Sequence, residues 1–215
     1  MAGYPPGRPL AITVLMHTVF FDFGNVIGFF DHRRAIRQWL PHCELTEEAI
    51  LDAIYGAELE DDFEAGRLGG DEFVRRACAA IGYRGSPERF RTAFVDIFTP
   101  NPEVCALIPR LKPHHRLVLA SNTNELHATF FQRSFADVLR HFDAIGLSYE
   151  AGARKPHRDF YEHCRKLADC PPGECLFIDD LAANVDAARA LGWYAIRYTS
   201  YPELLQQLRA HGVAV

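Results

Sequence analysis

Short apolar runs alternate with helical periodicities along most of the chain, and this alternation predicts an α/β fold built on a parallel sheet. Strands are expected at 17–21, 117–120, 144–147, 176–178 and 194–197, most of them apolar runs too short for helices. The first, second and fourth end directly at polar residues: Asp22, Ser121 and the pair Asp179–Asp180. In a doubly wound sheet, ligands bind outside the carboxyl ends of the strands. Those polar residues are therefore where chemistry is to be sought.

The stretch between the first two strands is far longer than one crossover helix requires. Its punctuation is helical. Asp71 is suited to cap a helix that stops before Gly82, and Ser86-Pro87-Glu88 opens another with Pro in its first turn. Asn101-Pro102 starts the helix that leads back to the second strand. A helical insert over 30–98 is expected, seated as a lid on the carboxyl end of the first strand, with 17–29 and 99–215 forming the core. Residues 1–16 place Pro and Gly where a signal peptide needs a basic start, so a flexible extension is expected, with neither export signal nor membrane span.

A length of 215 residues with 48% apolar and 24% charged positions suits a soluble globular core carrying a smaller insert. A net charge of -5 with no basic block disfavours a nucleic-acid partner. A small anionic substrate remains compatible, because a few local cations outweigh a weak global field. The six cysteines include no CxxC pair and are expected as reduced thiols in a cytoplasmic protein.

Four constellations carry candidate chemistry. In VFFDFGNVIGFF, the carboxylate of Asp22 directly behind Val19-Phe20-Phe21 is costly unless paired or metal-bound. Gly24 permits a tight turn and a close backbone approach, although an Asp ending a strand also serves as a plain cap. In LVLASNTNELH, Ser121, Asn122 and the N–H groups of a helix capped by Asn124 are suited to an anionic oxygen, or to ordinary capping alone. In GARKPHRDFYEHC, Pro156 suits the first turn of a helix and puts Lys155 just before its positive end. In CLFIDDLAANVDAARALGW, Asp179 and Asp180 are adjacent acids that repel, and Asn184 follows at the start of an Ala-rich helix. A cation relieves that repulsion, and oxygen-only ligands favour a hard ion such as Mg2+.

In this order, each at a strand end or helix start, the four motifs resemble those of the haloacid dehalogenase superfamily. The resemblance runs from about residue 17 to 199, is weak in the insert, and implies a Rossmann-like core with a helical cap. The wording SNTNELH, GARKP and FIDDLAAN is most similar to the sugar-phosphatase branch, which includes bacterial α-glucose-1-phosphate phosphatases and the phosphatase domain of soluble epoxide hydrolases. It implies an Mg2+-dependent phosphatase, monomeric or homodimeric, acting on a small phosphorylated metabolite. Asp22 matches the nucleophile that forms an aspartyl-phosphate, while Ser121, Asn122 and Lys155 match the groups that hold phosphoryl oxygens. The ion is expected on Asp22, the Gly24 carbonyl and Asp180, with Asp179 assisting. A Lys155–Asp22 contact would keep that carboxylate ionised.

One position departs from the pattern. Most family phosphatases carry a second Asp two residues after the nucleophile as general acid and base, and here it is Gly24. Positioned proton transfer contributes about 10²–10⁴-fold, so either the leaving group needs little protonation or another group or a water supplies the proton. Carbon–halogen hydrolysis and a non-catalytic binding module are the alternatives. Within the insert, Phe29, Phe30, Trp39, Tyr55 and Phe63 are expected mainly as core. The acids Glu58, Glu60, Asp61, Asp62 and Glu64 are expected as a solvated face, which would disfavour multiply anionic substrates if it met the cleft. His127 is expected as a satisfied helix histidine, and His114–His115 as a loop feature.

Overall fold

The computed structural model describes residues 16–56 and 58–215. The expectation of a flexible N-terminal extension concerns residues that, apart from Met16, lie outside that range. Strands β1 (Thr18–Phe21), β4 (Arg116–Ser121), β5 (Ala144–Leu147), β6 (Cys175–Asp179) and β7 (Tyr194–Arg197) form one sheet in the order β5-β4-β1-β6-β7. All four pairings are parallel. The five expected strands are present, with Ser121 and Asp179 drawn into the ends of β4 and β6 by their ladder bonds. β1 is central and wholly buried, and its side chains alternate between the two faces. Val19 and Phe21 pack into one apolar layer, Phe20 into the other.

Those layers are closed by helices α6 (Pro102–Leu111), α7 (Glu125–Ser134), α8 (Ala136–Leu139), α9 (Ser148–Ala151), α10 (Arg158–Ala168), α11 (Ala182–Ala190) and α12 (Tyr201–Ala210). The result is a Rossmann-like α/β core. A two-stranded antiparallel ribbon, β2 (Gly28–Phe30) with β3 (Phe98–Pro100), leads out to the insert and back. The insert holds α1 (His32–Trp39), α2 (Glu47–Tyr55), α3 (Glu58–Glu64), α4 (Gly70–Ala80) and α5 (Pro87–Val95) around an apolar cluster of its own. Trp39 stacks on Phe90 with centroids 4.3 Å apart, and Phe63 on Phe73 at 4.2 Å.

Several local expectations change. Gly69, not Asp71, takes the N-cap of α4; Asp71 lies in the first turn and pairs with Arg91. Ser86 does cap α5, accepting the Arg89 N–H at 3.3 Å. α10 starts at Arg158 behind His157, so Pro156 and Lys155 belong to the preceding turn and not to the helix start. His115 is buried with Nδ1 2.8 Å from the Met16 carbonyl oxygen, a packed position and not a mere loop feature. All six cysteines are free thiols, and no described helix is long and apolar enough to cross a membrane.

Asn101 sits at the N-cap of α6, but its side chain does not cap. Its amide donates to the Val26 carbonyl at 2.9 Å and to the Tyr198 hydroxyl at 2.8 Å, and its backbone N–H to Ile27 at 2.9 Å. It thereby ties the return of the ribbon to the loop after β1. Asn101→Ala leaves a buried carbonyl without its donor, which costs about 1–3 kcal/mol. A lower urea midpoint by circular dichroism is expected; a midpoint equal to that of the parent would show that these bonds contribute nothing.

Candidate active site

The register of the sheet assembles the site. Phe21 pairs with Leu119 on one side and Ile178 on the other, so one step further the ends of β1, β4 and β6 meet. The Asp22 N–H continues the ladder to the Ile178 carbonyl at 2.9 Å. The Lys155 ammonium reaches in from the loop after α9, 2.7 Å from Asp22 Oδ1, 2.7 Å from Asp179 Oδ2 and 2.8 Å from the Ala120 carbonyl oxygen. All three charged groups are buried.

Asp179 is fully engaged. Besides Lys155 it accepts the Leu181 N–H at 2.9 Å, and the Asn184 amide lies 3.0 and 3.1 Å from its two oxygens. Asn184 thus serves Asp179. Asp180 is only half-buried and accepts from the Asn25 amide at 3.1 Å. Asn25 holds a left-handed backbone with φ 55°, a conformation that Asn tolerates better than most residues. Asp22, Asp179 and Asp180 each offer an oxygen within 4.8 Å of the others, an all-oxygen set suited to a hard cation.

Burial is the largest influence on Asp22 and pushes its carboxyl up; Lys155 pulls it down, Asp179 and Asp180 push it up again, and it comes to about 7. The expected Lys155–Asp22 contact is present and favours the ionised carboxylate, against a larger opposing effect of burial. Burial would lower the Lys155 ammonium, but Asp22 and Asp179 hold it above its ordinary value. Asp180 is raised, chiefly by burial.

Ser121 is buried at the end of β4 and its hydroxyl donates to the Asn122 carbonyl at 3.2 Å. The Asn122 side chain is already used: its amide donates to the Lys155 carbonyl at 3.0 Å and its oxygen accepts the Lys155 N–H at 2.8 Å. Asn122 holds the Lys155 loop in place. Next to it, Ser148 grips both backbone groups of Thr123, at 2.8 and 2.9 Å. Asn124 caps α7 as expected, accepting the His127 N–H at 3.0 Å.

Above Asp22 lies a cavity of about 220 Å³ between the core and the insert. Asp22, Gly24, Ser121, Asn122, Lys155 and Asp180 line its floor, while Phe30, His32, Glu60 and Glu64 approach from the insert. The acidic run is therefore not one solvated face. Glu60 and Glu64 turn inward on α3, and Asp61 and Asp62 pair with Arg154 and Arg67. Phe30 faces the cavity and Phe29 is exposed, whereas Trp39 and Phe63 are insert core. His127 borders the cavity with both ring nitrogens bonded, to Asn124 and to the Phe94 carbonyl, and burial lowers it to about 3. A Cβ at Gly24 would lie 3.0 Å from the Phe30 ring, a tight contact that the ring would have to relieve by a small shift.

The sequence profile of the haloacid dehalogenase-like hydrolases matches residues 16–192. The chain belongs to this family. Among characterised relatives, it is 24% identical to a D-ribitol-5-phosphate phosphatase of Bacteroides thetaiotaomicron, over 90% of this chain and 97% of the relative. It is 30% identical to a sesquiterpene phosphatase of Aspergillus oryzae, over 85% and 94% of the two chains. A crystal structure of a haloacid dehalogenase family enzyme of B. thetaiotaomicron, in complex with magnesium and inorganic phosphate, superposes with a TM-score of 0.74 at 23% identity, covering 86% of this chain and 94% of that one.

Within this family frame, the motif residues converge on one cavity floor. Sequence reasoning missed Asn25 as the partner of Asp180, Arg154, and the inward turn of Glu60 and Glu64. The Glu60–Glu64 spacing of four on one helix was a legible signal for a shared face; which way that face points was not.

A carboxyl held high in the folded chain is penalised once it ionises. Between its ordinary value of 3.8 and about 7, the folded state keeps a proton that the unfolded chain has lost, so stability falls as pH rises through that window. Glu60, pushed to about 7 mainly by burial, acts in the same direction. In the presence of a chelator, the urea midpoint is expected to drop between pH 5.5 and 7.5, and Asp22→Asn to flatten that drop. Identical slopes for variant and parent would refute the role assigned to Asp22.

Proposed function

We propose that the chain is an Mg2+-dependent phosphatase that hydrolyses a small phosphomonoester of the sugar-phosphate class through an aspartyl-phosphate on Asp22. The observation that carries this is the charge balance at the strand ends: three carboxylates within ligand reach of one another and a single buried ammonium among them. With all three ionised, the cluster has two negative charges in excess, which a divalent cation offsets. The named activities of the two relatives support the phosphatase class, though one acts on a polyol phosphate and the other on a terpene. The related enzyme in complex with magnesium and phosphate supports the ion.

Asp22, Asp180 and the Gly24 carbonyl would hold the ion; Asp179, already carrying its hydrogen bonds, supports Lys155 more than it ligates. When bound, Mg2+ supplies the charge neutralisation that lets one anion approach another. The Asp22 carboxylate attacks phosphorus in line, the Asp22 oxygen–phosphorus bond forms, and the ester oxygen leaves with the bonding pair and takes up a proton. Water then attacks phosphorus, which releases inorganic phosphate and regenerates Asp22. Lys155 and the Ser121 hydroxyl position the phosphoryl oxygens, with the Asn122 side chain fixing Lys155 and only its backbone free to assist. Residues 30–98 act as the cap that closes the cavity over the core of 17–29 and 99–215. Free thiols favour a cytoplasmic setting.

No side chain at position 24 can hand over the proton, so the rate should depend on the leaving group. Phosphate release from a series of esters is expected to rise steeply as leaving-group pKa falls; a flat series would show that a protein group supplies the proton. Asp22→Asn is expected to abolish magnesium-dependent release by at least about a thousandfold. Carbon–halogen hydrolysis that survives a chelator would favour the dehalogenase alternative, and inertness towards a broad phosphate panel the binding-module alternative.

A further inference from the structure

The cavity has two unlike walls. Its floor is built for a phosphoryl group, but the insert side carries polar groups that this reaction does not use. Glu60 and Glu64 stand one turn apart on α3 and both face inward. Glu64 is 9% exposed, and its Oε2 lies 2.8 Å from Arg154 Nε. That N–H is nevertheless not aimed at the carboxylate: Arg154 Nε has no hydrogen-bond partner among the described residues. Glu60 forms no hydrogen bond or ion pair within the described structure. His32 Nδ1 is buried and unpartnered as well, its ring stacked on Tyr55 at 3.8 Å. Buried polar groups are ordinarily satisfied, so these two unpartnered nitrogens, with the unpaired Glu60 beside them on one cavity, point to a ligand that satisfies them.

We propose that Glu60, Glu64, Arg154 and His32 form the subsite for the leaving group and select an uncharged, polyhydroxylated alcohol. The inference rests on the phosphatase reading above and narrows it. Carboxylates accept from hydroxyl groups, and the guanidinium and imidazole complete the pairing through the same hydroxyls. Burial pushes Glu60 to about 7 and, with Glu60 beside it, holds Glu64 well above the usual carboxylate range. Burial thus favours the neutral form of both carboxyls, in which the O–H can donate as well. Phe30, Ile97 and Phe98 give the carbon skeleton an apolar face. A leaving group without hydroxyls would bury these polar groups unpaired, and a site built to bond hydroxyls rejects such analogues strongly. A second anionic group would meet two acids at close quarters. The cavity, about 220 Å³, lies below the roughly 300–1,000 Å³ of pockets that take drug-sized ligands, which favours a compact alcohol.

The test measures magnesium-dependent phosphate release by the full chain from four monoesters or bisphosphates. These are an alditol monophosphate, the n-alkyl phosphate of equal carbon count, the corresponding alditol bisphosphate, and an aryl phosphate as baseline. The alditol monophosphate is expected to exceed both the alkyl phosphate and the bisphosphate at least tenfold in kcat/KM. In E64Q and in E60Q the alditol-to-alkyl ratio is expected to fall at least fivefold, and the bisphosphate to gain relative to the monophosphate. A parent enzyme that prefers the alkyl phosphate, or ratios unchanged in both variants, would overturn the subsite while leaving the phosphatase reading intact. No release from any substrate, the aryl phosphate included, would overturn both. Should E64Q fail to fold by circular dichroism, E60Q and the ratio in the parent still decide.

Discussion

The site depends on one buried ammonium. Lys155 joins the carboxylates that end β1 and β6 and the carbonyl one residue before the end of β4, and so fastens three strand ends with a single charge. Removing one member of such a buried pair leaves an uncompensated charge and costs far more than an exposed ion pair contributes. Yet one ammonium cannot balance three acids. Burial, with the neighbouring acids after it, keeps Asp22 high in the isolated chain, and the excess negative charge makes the site receptive to a cation.

The surroundings of Lys155 are organised around holding it there. It stands in a turn, with no helix of its own, so its position must come from side-chain bonds. Asn122 supplies them by gripping both backbone groups of Lys155, while Ser148 fixes the neighbouring Thr123 in the same way. The segment after β4 is thereby locked between the Lys155 turn and the start of α9. A residue that looked like a ligand for phosphate turns out to position the residue that faces it.

The insert adds a second constraint. Its aromatic cluster is largely its own, but Leu126 and Phe98 pack against it and Phe94 stacks on His127 of α7 at 4.1 Å. These contacts and the ribbon set where it sits. From that position the Phe30 ring lies close beside Gly24, so a side chain at 24 would have to shift it slightly.

Much of this was legible beforehand. The five strands, the four motifs and the α5 and α7 caps follow from periodicity and from residue types whose local preferences are strong. Asp71 and Pro156 misled at the local level, because a Gly cap and a turn outcompeted the local preference of each. By itself, the sequence determined which residues end each strand and that adjacent buried acids need compensation, since alternation, chain polarity and the cost of burying charge are local facts. Only the tertiary structure decided that Asn122 serves Lys155, that Asn184 serves Asp179, and that Glu60 and Glu64 face inward beside Arg154. Those outcomes depend on strand register and on how the insert is seated, which bring together residues far apart in the chain, and no local pattern encodes such a distance.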